Sequence, residues 1–232
     1  MNAGCYVTGT DTGVGKTLVS AALLAALNAN GMHAVGMKPI ASGCDSTTHG
    51  LRNADAQLLI AASAGTPEYA LVNPYAFAEP IAPHIAASDA GVTIAIETIA
   101  SAFSTLARTA QCVVVEGVGG WMAPLGPSLM QRDLVQRLQL PVILVVGLRL
   151  GCLNHALLSA RAIREDGCEL AGWIGSRVDP AMLRPDDNLA TLRERLGAPC
   201  LGVLPFAPDA APEVLAAHLE AARDWFVRVR RA

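Results

Sequence analysis

The sequence is poor in the features that mark nucleic-acid-binding and membrane-spanning proteins. Only 16% of its 232 residues are charged and the formal net charge is −3. It therefore lacks the basic surface that nucleic acid attracts, and we expect no nucleic-acid partner. The locally basic end, RDWFVRVRRA, is interpreted as cations on the last turns of a helix. No apolar run reaches the roughly 18 residues of a membrane span, so no membrane partner is expected either.

The sequence also has no closely spaced cysteine pair, and we expect no leader segment. The six cysteines are scattered without any CxxC pair, and Cys5 and Cys112 fall within apolar strand patterns as buried thiols. The first residues carry no charged leader and enter a strand pattern almost at once. These features predict a cytoplasmic enzyme with reduced cysteines.

Apolar sequence is abundant, and it is arranged as alternating strands and helices. Hydrophobic residues make up 52% of the chain, which is enough for a large core. Strands are predicted at 5–9, 33–38, 112–117, 142–147, 170–175 and 200–205, and helices near 16–29, 53–64, 93–110, 129–138, 153–166, 186–196 and 212–229. Strands that are apolar on both faces and separated by helices predict α/β structure, with a doubly wound, mostly parallel sheet covered by helices on both faces. We find no repeat and no linker, so residues 1–232 are expected to form a single domain.

Residues 65–91 interrupt this alternation. They carry four prolines and no helical period, which predicts an irregular insert. The aromatic residues Tyr75 and Phe77 favour an ordered conformation for it. In parallel sheets, ligands bind beyond the carboxyl ends of the strands, and that edge is where chemistry is expected.

The stretch VTGTDTGVGKT, residues 7–17, ends like a phosphate-binding loop. A strand pattern ends at Gly9 and a helical pattern begins at Lys16, so backbone N–H groups and the helix start can cradle an anion. Lys16 would reach the β- and γ-phosphates, and the Thr17 hydroxyl would bind Mg²⁺. A glycine-rich turn that happens to contain Lys and Thr is the alternative.

The loop is one residue longer than the common pattern G-x-x-x-x-G-K-[ST], because Gly9 stands one place too far from Gly15. One extra residue leaves the cradle intact. We expect it to bring residues 10–12 toward whatever sits beside the γ-phosphate.

Three further charged residues fall at the ends of elements. Glu116 ends the apolar run CVVVE, where a carboxylate can hold Mg²⁺, and a solvent-facing Glu is the alternative. Lys38 lies at the carboxyl end of the second predicted strand and either points into the crevice or is a solvated surface charge. Asp55 starts a helix, where a first-turn acid is favoured by the helix dipole alone, so both interpretations stay open.

Taken together, these segments resemble the dethiobiotin synthetases, a P-loop NTPase-like family. The resemblance is carried by YVTGTDTGVGKT, GMKPIASG, GLRNADA, VNPYAFAEPIAPHIAA, VVVEGVGGW, LPVILVVGLRLGCLNHALLSARAI and LAGWI, with a looser fit through LGVLPF. It implies ATP-dependent ring closure of 7,8-diaminononanoate with CO₂ to dethiobiotin, ADP and phosphate, through a carbamate and a carbamic–phosphoric anhydride. Catalysis would then be positioning plus charge neutralisation.

The resemblance also implies roles for individual residues. Lys16 and Lys38 would be catalytic and offset the charge of carbamate and phosphate, while Thr17, Asp55 and Glu116 would hold Mg²⁺. The nucleotide would contact Gly13, Val14, Gly15, Lys16, Thr17, Leu18, Asp55, Glu116, Gly117, Val118, Gly119, Ser176, Arg177, Pro205, Phe206 and Ala207. The diamine end of the substrate would be placed by Thr12 and Ser42.

Members of this family are homodimers with the active site at the interface. The resemblance implies that Gly151, Cys152, Leu153 and Asn154 cradle the distal carboxylate of the substrate from the partner subunit, as a helix N-terminus can do. Ser176 stands where an adenine-reading Asn is usual, so weaker selection of the base is expected. Gly13 stands where Glu is common, and Asn188 where some relatives place Tyr.

Other classes of P-loop protein fit the sequence less well. Partition-type switches, in which nucleotide drives dimerisation, normally carry a second lysine early in the loop, where this chain has Thr10 and Asp11. Related amidoligases need a glutaminase partner or an additional domain, and 232 residues leave no room for that domain. A non-catalytic nucleotide-binding module is the remaining alternative.

Overall fold

The apolar runs form strands of a six-stranded sheet in which every neighbouring pair is parallel. The structure is a computed structural model that describes residues 3–231. The strands are β1 (Ala3–Gly9), β2 (Ala34–Met37), β3 (Ile40–Ala41), β4 (Asp45–Thr47), β5 (Gly50–Arg52), β6 (Tyr75–Ala76), β7 (Cys112–Gly120), β8 (Val142–Leu148), β9 (Leu170–Arg177) and β10 (Cys200–Leu204). The large sheet has the order β10-β9-β8-β1-β7-β2, which confirms the predicted doubly wound class.

Helices cover both faces of this sheet. They are α1 (Lys16–Ala29), α2 (Ala54–Ala62), α3 (Tyr69–Val72), α4 (Pro83–Asp89), α5 (Ile96–Thr109), α6 (Gln131–Leu138), α7 (Cys152–Glu165), α8 (Pro185–Arg195), α9 (Pro212–Leu215) and α10 (Glu220–Arg231). Helices α5 to α8 pack on one face, and α1, α2, α9 and α10 pack on the other. Side chains of β7 alternate between the two layers, so both faces of the strand are apolar.

The insert at 65–91 is less irregular than predicted. It contains α3, β6 and α4, and β6 pairs with β3 in a small parallel sheet. Proline supports one of these helices, because Pro83 occupies the first turn of α4, where its fixed φ suits the helix. Both aromatic residues of the insert have fixed surroundings, as expected. Phe77 is buried in the core, and the Tyr75 hydroxyl accepts a hydrogen bond from the Ala95 N–H at 3.0 Å.

The single helix predicted over 212–229 is also corrected. The chain instead forms α9, a 3₁₀ turn at Ala216–Leu219 and then α10. The 3₁₀ turn packs closely on β10, since a Cβ at Gly202 would lie 2.4 Å from the carbonyl oxygen of His218. Within residues 3–231, no helix combines the length and the apolar character of a membrane span.

The strand order brings three chain segments to one edge of the sheet. The segments that follow β1 and β2 lie on either side of the end of β7, because β7 is hydrogen-bonded to both strands. The loop before α1, residue Lys38 and residue Glu116 therefore meet at the carboxyl edge, where ligands bind in such folds.

Candidate functional site

The loop between β1 and α1 has the backbone of an anion-binding turn. Gly13 and Gly15 have φ values of 72° and 85°, which side-chain-bearing residues rarely adopt. Val14 turns inward between them and is buried, and it packs so tightly that a Cβ at Gly147 would lie 2.8 Å from its Cγ1. Gly13 is exposed, whereas Gly15 is half-buried against Ser176, and both glycines line the cavity described below.

Lys16 is folded back over this loop. It is 7% exposed, and its Nζ donates a hydrogen bond to the Asp11 carbonyl oxygen at 2.9 Å. Burial, followed by repulsion from Lys38, lowers the pKa of Lys16 to about 8. A ligand that brings negative charge to this position would relieve both effects.

Asp11, in the lengthened part of the loop, ties it to a neighbouring strand end. Its Oδ2 lies 2.5 Å from Nη2 of Arg149, which follows β8, and its Oδ1 accepts the Thr12 N–H at 2.7 Å. The Asp11 side chain is thus occupied within the protein, whereas Thr12 lines the cavity described below.

Lys38 lies between two carboxylates. Its Nζ is 2.5 Å from Oε1 of Glu116 and 3.0 Å from Oδ2 of Asp55. Lys38 is 5% exposed and Glu116 is fully buried, so the alternatives of a surface lysine and a solvent-facing glutamate are wrong. Asp55 occupies the first turn of α2 as the sequence indicated, and it also faces Lys38.

The electrostatics of this cluster favour a cation at its centre. Burial alone would lower the pKa of Lys38, but attraction and hydrogen bonds from Glu116 and Asp55 outweigh it and raise that pKa. The Thr17 hydroxyl donates to Oε1 of Glu116 at 2.8 Å. Oε2 of Glu116 is buried with no hydrogen-bond partner, which leaves one carboxylate oxygen free to bind a ligand.

A polar network from the insert holds the backbone at Lys38, and the sequence reasoning missed it. The Lys38 carbonyl accepts a hydrogen bond from Nδ2 of Asn73 at 2.7 Å, and its N–H donates to the Val72 carbonyl at 2.9 Å. The Tyr69 hydroxyl donates to Asn73 at 2.9 Å and accepts the Asn53 N–H at 2.8 Å, so α3 also supports the start of α2. These bonds span distant segments and leave no spacing signal in the sequence.

One cavity of about 980 Å³ collects most of the predicted site residues. Those that line it are Thr12, Gly13, Gly15, Lys16, Thr17, Leu18, Lys38, Ser42, Asp55, Glu116, Val118 and Gly119. Residues 80–83 of the insert and Pro208 also line it. The insert thus contributes a wall of the same cavity.

The remaining predicted residues lie outside this lining. Gly117 faces the opposite way, since a Cβ there would lie 2.7 Å from the Tyr6 hydroxyl. Ser176 is buried beneath the phosphate loop, with its Oγ 2.6 Å from a Cβ position at Gly15. Arg177 pairs with Asp186 at 3.0 Å. Beyond β10 come Pro205, Phe206 and Ala207, next to Pro208 of the cavity.

The predicted carboxylate cradle forms a separate feature at the start of α7. Gly151 caps the helix with φ 94°, Cys152 is buried, Leu153 is partly buried and Asn154 is exposed. None of the four lines the large cavity. The sequence therefore marks a helix start correctly, and the structure places it apart from the lysine cluster within this chain.

Comparison with known proteins identifies the family. A model of a P-loop family described as an AAA domain matches residues 3–214. The chain is 56% identical over 218 residues to the ATP-dependent dethiobiotin synthetase BioD of Xanthomonas oryzae pv. oryzae (strain PXO99A), covering 94% of this chain and 97% of that protein. It is 55% identical over 215 residues to the protein of the same name from Xylella fastidiosa (strain 9a5c), covering 92% and 95% of the two chains.

Solved structures with little sequence identity share the fold. A ParA family ATPase from Chlorobium tepidum TLS matches with a TM-score of 0.58 at 14% identity, over 97% of this chain and 93% of that one. The MinD cell division protein of Aquifex aeolicus matches with a TM-score of 0.57 at 15% identity, over 99% and 98%. These likenesses show a P-loop NTPase fold, whereas the high identity to the curated relatives shows that the chain belongs to the family of ATP-dependent dethiobiotin synthetases.

Proposed function

We propose that this chain converts 7,8-diaminononanoate, CO₂ and ATP into dethiobiotin, ADP and phosphate. The observation that carries the proposal is the cavity in which both lysines, two carboxylates and the phosphate loop meet. A ligase that joins two small molecules at the expense of ATP needs this combination of anion binding and charge neutralisation more than it needs a protein nucleophile.

The proposed chemistry has three steps. One amine of the diamine adds to CO₂ and loses a proton, which gives a carbamate. A carbamate oxygen then attacks the γ-phosphorus of ATP and displaces ADP, which forms a carbamic–phosphoric anhydride. Finally the neighbouring amine attacks the carbamoyl carbon, and closure of the cyclic urea expels phosphate.

Lys16 and Lys38 are assigned different parts of this reaction. Lys16 belongs to the phosphate loop, and we assign it to the β- and γ-phosphates. Lys38 comes from another strand end, and we assign it to the oxygens where carbamate and γ-phosphate meet. Charge aimed at those oxygens acts mainly in the transition state.

The residues around Lys38 fit Mg²⁺ as the metal that accompanies ATP. Thr17, Asp55 and Glu116 offer hard oxygen donors, and the unpartnered Oε2 of Glu116 is a free ligand atom. Among the described residues, no group of three or more His, Cys, Asp and Glu forms a metal site. We assign the remaining Mg²⁺ ligands to the ATP phosphates and water. Bound there, Mg²⁺ would supply positive charge that offsets the charge developing on the phosphate oxygens.

We assign the two ends of the substrate to different parts of the protein. Thr12 and Ser42 line the cavity, and we assign them to the diamine end. We further propose a homodimer in which residues 151–154 bind the distal carboxylate in the partner's site. The exposed apolar side chains beside that helix start support this, since Leu150 is 97% exposed and Leu158 is 57% exposed.

A direct assay tests the function. The purified chain is incubated with diaminononanoate, ¹³C-bicarbonate and MgATP, and dethiobiotin is measured by mass spectrometry beside released phosphate. We expect one ¹³C atom in the ureido carbonyl, equal amounts of product and phosphate, and no turnover by a Lys16→Ala control. ATP hydrolysis that is independent of the diamine, with no dethiobiotin, would contradict the proposal and favour a nucleotide-driven switch.

A further inference from the structure

Gln131, the first residue of α6, is fully buried beside the candidate site. Its Oε1 accepts the Val118 N–H at 2.8 Å. Its Nε2 donates to the Gly120 carbonyl at 2.9 Å and to the Thr8 hydroxyl at 3.2 Å. Both hydrogens and one acceptor site of this single amide are therefore satisfied by the ends of β7 and β1.

These contacts hold the backbone on both sides of Gly119. Val118, Gly119 and Gly120 all line the cavity, and Gly119 adopts a left-handed φ of 55°. A Cβ placed on Gly119 would lie 3.6 Å from Oγ1 of Thr12, so this residue faces the phosphate loop across a narrow gap. Since Val118 and Gly120 are bonded to one amide, the position of Gly119 depends on Gln131.

The hydrogen bond from Gln131 to Thr8 also holds the strand end that leads into the phosphate loop, on the other side of the gap. Thr8 is fully buried and comes directly before Gly9, where the phosphate loop begins. Gln131 is itself fixed by its backbone, because its N–H donates to the Ala123 carbonyl at 3.1 Å. A Cβ at Gly117 would lie 2.3 Å from Oε1 of Gln131, so glycine at 117 is what allows this amide to come so close.

We propose that Gln131 is a positioning residue that sets the distance between the Val118–Gly120 backbone and the phosphate loop. It contacts no reacting atom, and the proposal rests on the proposed function for its kinetic consequence. A displacement of about 1 Å between bound reactants can cost on the order of 100-fold in rate. The Lys16–Asp11 bond and the turns at Gly13 and Gly15 do not involve Gln131, whereas Val118 and Gly119 are expected nucleotide contacts, so kcat should fall more than the KM for ATP rises.

The main test compares Gln131→Met with Val135→Ala. Met keeps the length of the side chain and removes all three hydrogen bonds. Val135 is buried on the same helix without a polar contact to the site, so its truncation reports a purely structural loss. We expect Gln131→Met to lower kcat for dethiobiotin formation by about 10- to 100-fold, with the KM for ATP within threefold of wild type. Val135→Ala should keep kcat within threefold.

Hydrogen exchange gives a readout that needs no turnover. Without the Oε1 acceptor, the Val118 amide should exchange at least tenfold faster, while amides in the centre of β7 keep their wild-type protection. Unchanged exchange at Val118, or a kcat for Gln131→Met within threefold of the Val135→Ala value, would overturn the proposal.

Thr8→Val serves as the second variant because it is nearly isosteric and removes one contact of the amide. We expect a kcat lowered by about three- to tenfold with a KM for ATP within threefold of wild type. If Gln131→Met does not fold, a wild-type kcat in Thr8→Val overturns the proposal. Wild-type turnover is measured alongside, so a failure of the proposed function shows as missing dethiobiotin in the wild type itself.

Discussion

Lys16 and Lys38 are the only lysines in the chain, and the other 15 of its 17 basic side chains are arginines. Both lysines line one cavity, yet their surroundings differ. Lys16 is held by a neutral carbonyl and has its pKa lowered to about 8, whereas Lys38 is paired with two carboxylates and has its pKa raised. The two amines should therefore differ in chemical reactivity.

Amine modification tests that difference. With a pKa of about 8, half of Lys16 is neutral at pH 8, against about 1 in 250 for an ordinary lysine. The neutral fraction grows as pH rises, so reductive methylation of Lys16 should speed up to about pH 8 and then level off. We expect the Lys16 peptide to be modified first and the Lys38 peptide to be spared, as measured by peptide mass spectrometry.

Two controls accompany this labelling. MgATP should protect Lys16, and Lys16→Arg should remove the fast site, while the α-amino group of residue 1 is resolved as a separate peptide. Modification of Lys38 as fast as that of Lys16 would contradict the assigned ion pairs.

The replacement Lys38→Ala tests the assignment of this lysine to the reacting oxygens. Removing charge that acts in the transition state should lower kcat by about 10²- to 10³-fold and leave MgATP affinity near normal. Lys38→Gln should do little better, since it restores a donor without the charge. Calorimetric ATP binding and steady-state dethiobiotin formation measure the two effects separately.

Stability must be followed in the same Lys38 variants. Glu116 would lose its cation while fully buried, which costs about 3–5 kcal/mol when one partner of a buried pair is removed. Rates should therefore be taken well below the Tm of each variant. A Lys38→Ala protein that turns over within fivefold of wild type would show that the catalytic assignment is wrong.

At the scale of elements, the long strands were predictable and the short elements were not. Strand β7 begins with the continuous apolar run CVVV because both of its faces are buried. Such a run predicts a strand from the local sequence alone. The strands β4 and β5 have three residues each and little burial, and α3 has four residues, so no period can appear in them. The sequence does not predict helix α4, because Pro80 and Pro83 are typical of irregular structure.

The candidate site likewise contains residues that the sequence predicts and residues that it does not. In the sequence, Lys16 begins a helical pattern, and Lys38 and Glu116 come at the ends of apolar strand patterns. Because the carboxyl ends of parallel strands meet at one sheet edge, the sequence predicts that the three residues lie close together. Asn73 and Gln131 act through hydrogen bonds to the main chain of distant segments. Such bonds depend on tertiary structure and leave no pattern in the neighbouring sequence.

A further prediction concerns how the nucleotide base is selected near the end of β9. Ser176 is packed under Gly15 and has only a hydroxyl, so paired amide contacts to an adenine edge are not available from it. Loss of hydrogen bonds to the base weakens the selection of ATP over other triphosphates by about 1–3 kcal/mol. We expect ATP to be favoured over CTP and GTP by less than a thousandfold in kcat/KM, and a larger preference would show that the base is read by other residues.

At the scale of the whole molecule, the cavity and the start of α7 are separate features of one chain, and the proposed homodimer would bring them together. Gly151→Asp tests this, because a Cβ at Gly151 meets open space and the added carboxylate would repel the substrate's tail. Gly151→Asn is the matched control, since it carries the same backbone strain at φ 94° without the charge. We expect a raised KM for the diamine with Asp and a much smaller change with Asn, while calorimetric ATP binding stays near wild type in both.

Complementation between two defective chains decides whether each site is shared. In a two-fold dimer, a heterodimer of Gly151→Asp and Lys16→Ala would contain one site with an intact phosphate loop from the first chain and an intact α7 start from the second. Random exchange of equal amounts makes half of the dimers mixed, so about a quarter of all sites should become active. Each variant alone should stay near its own low rate at limiting diamine. If subunit exchange is confirmed by mass spectrometry and no activity returns, each site is built within a single chain and the residues at 151–154 have another role.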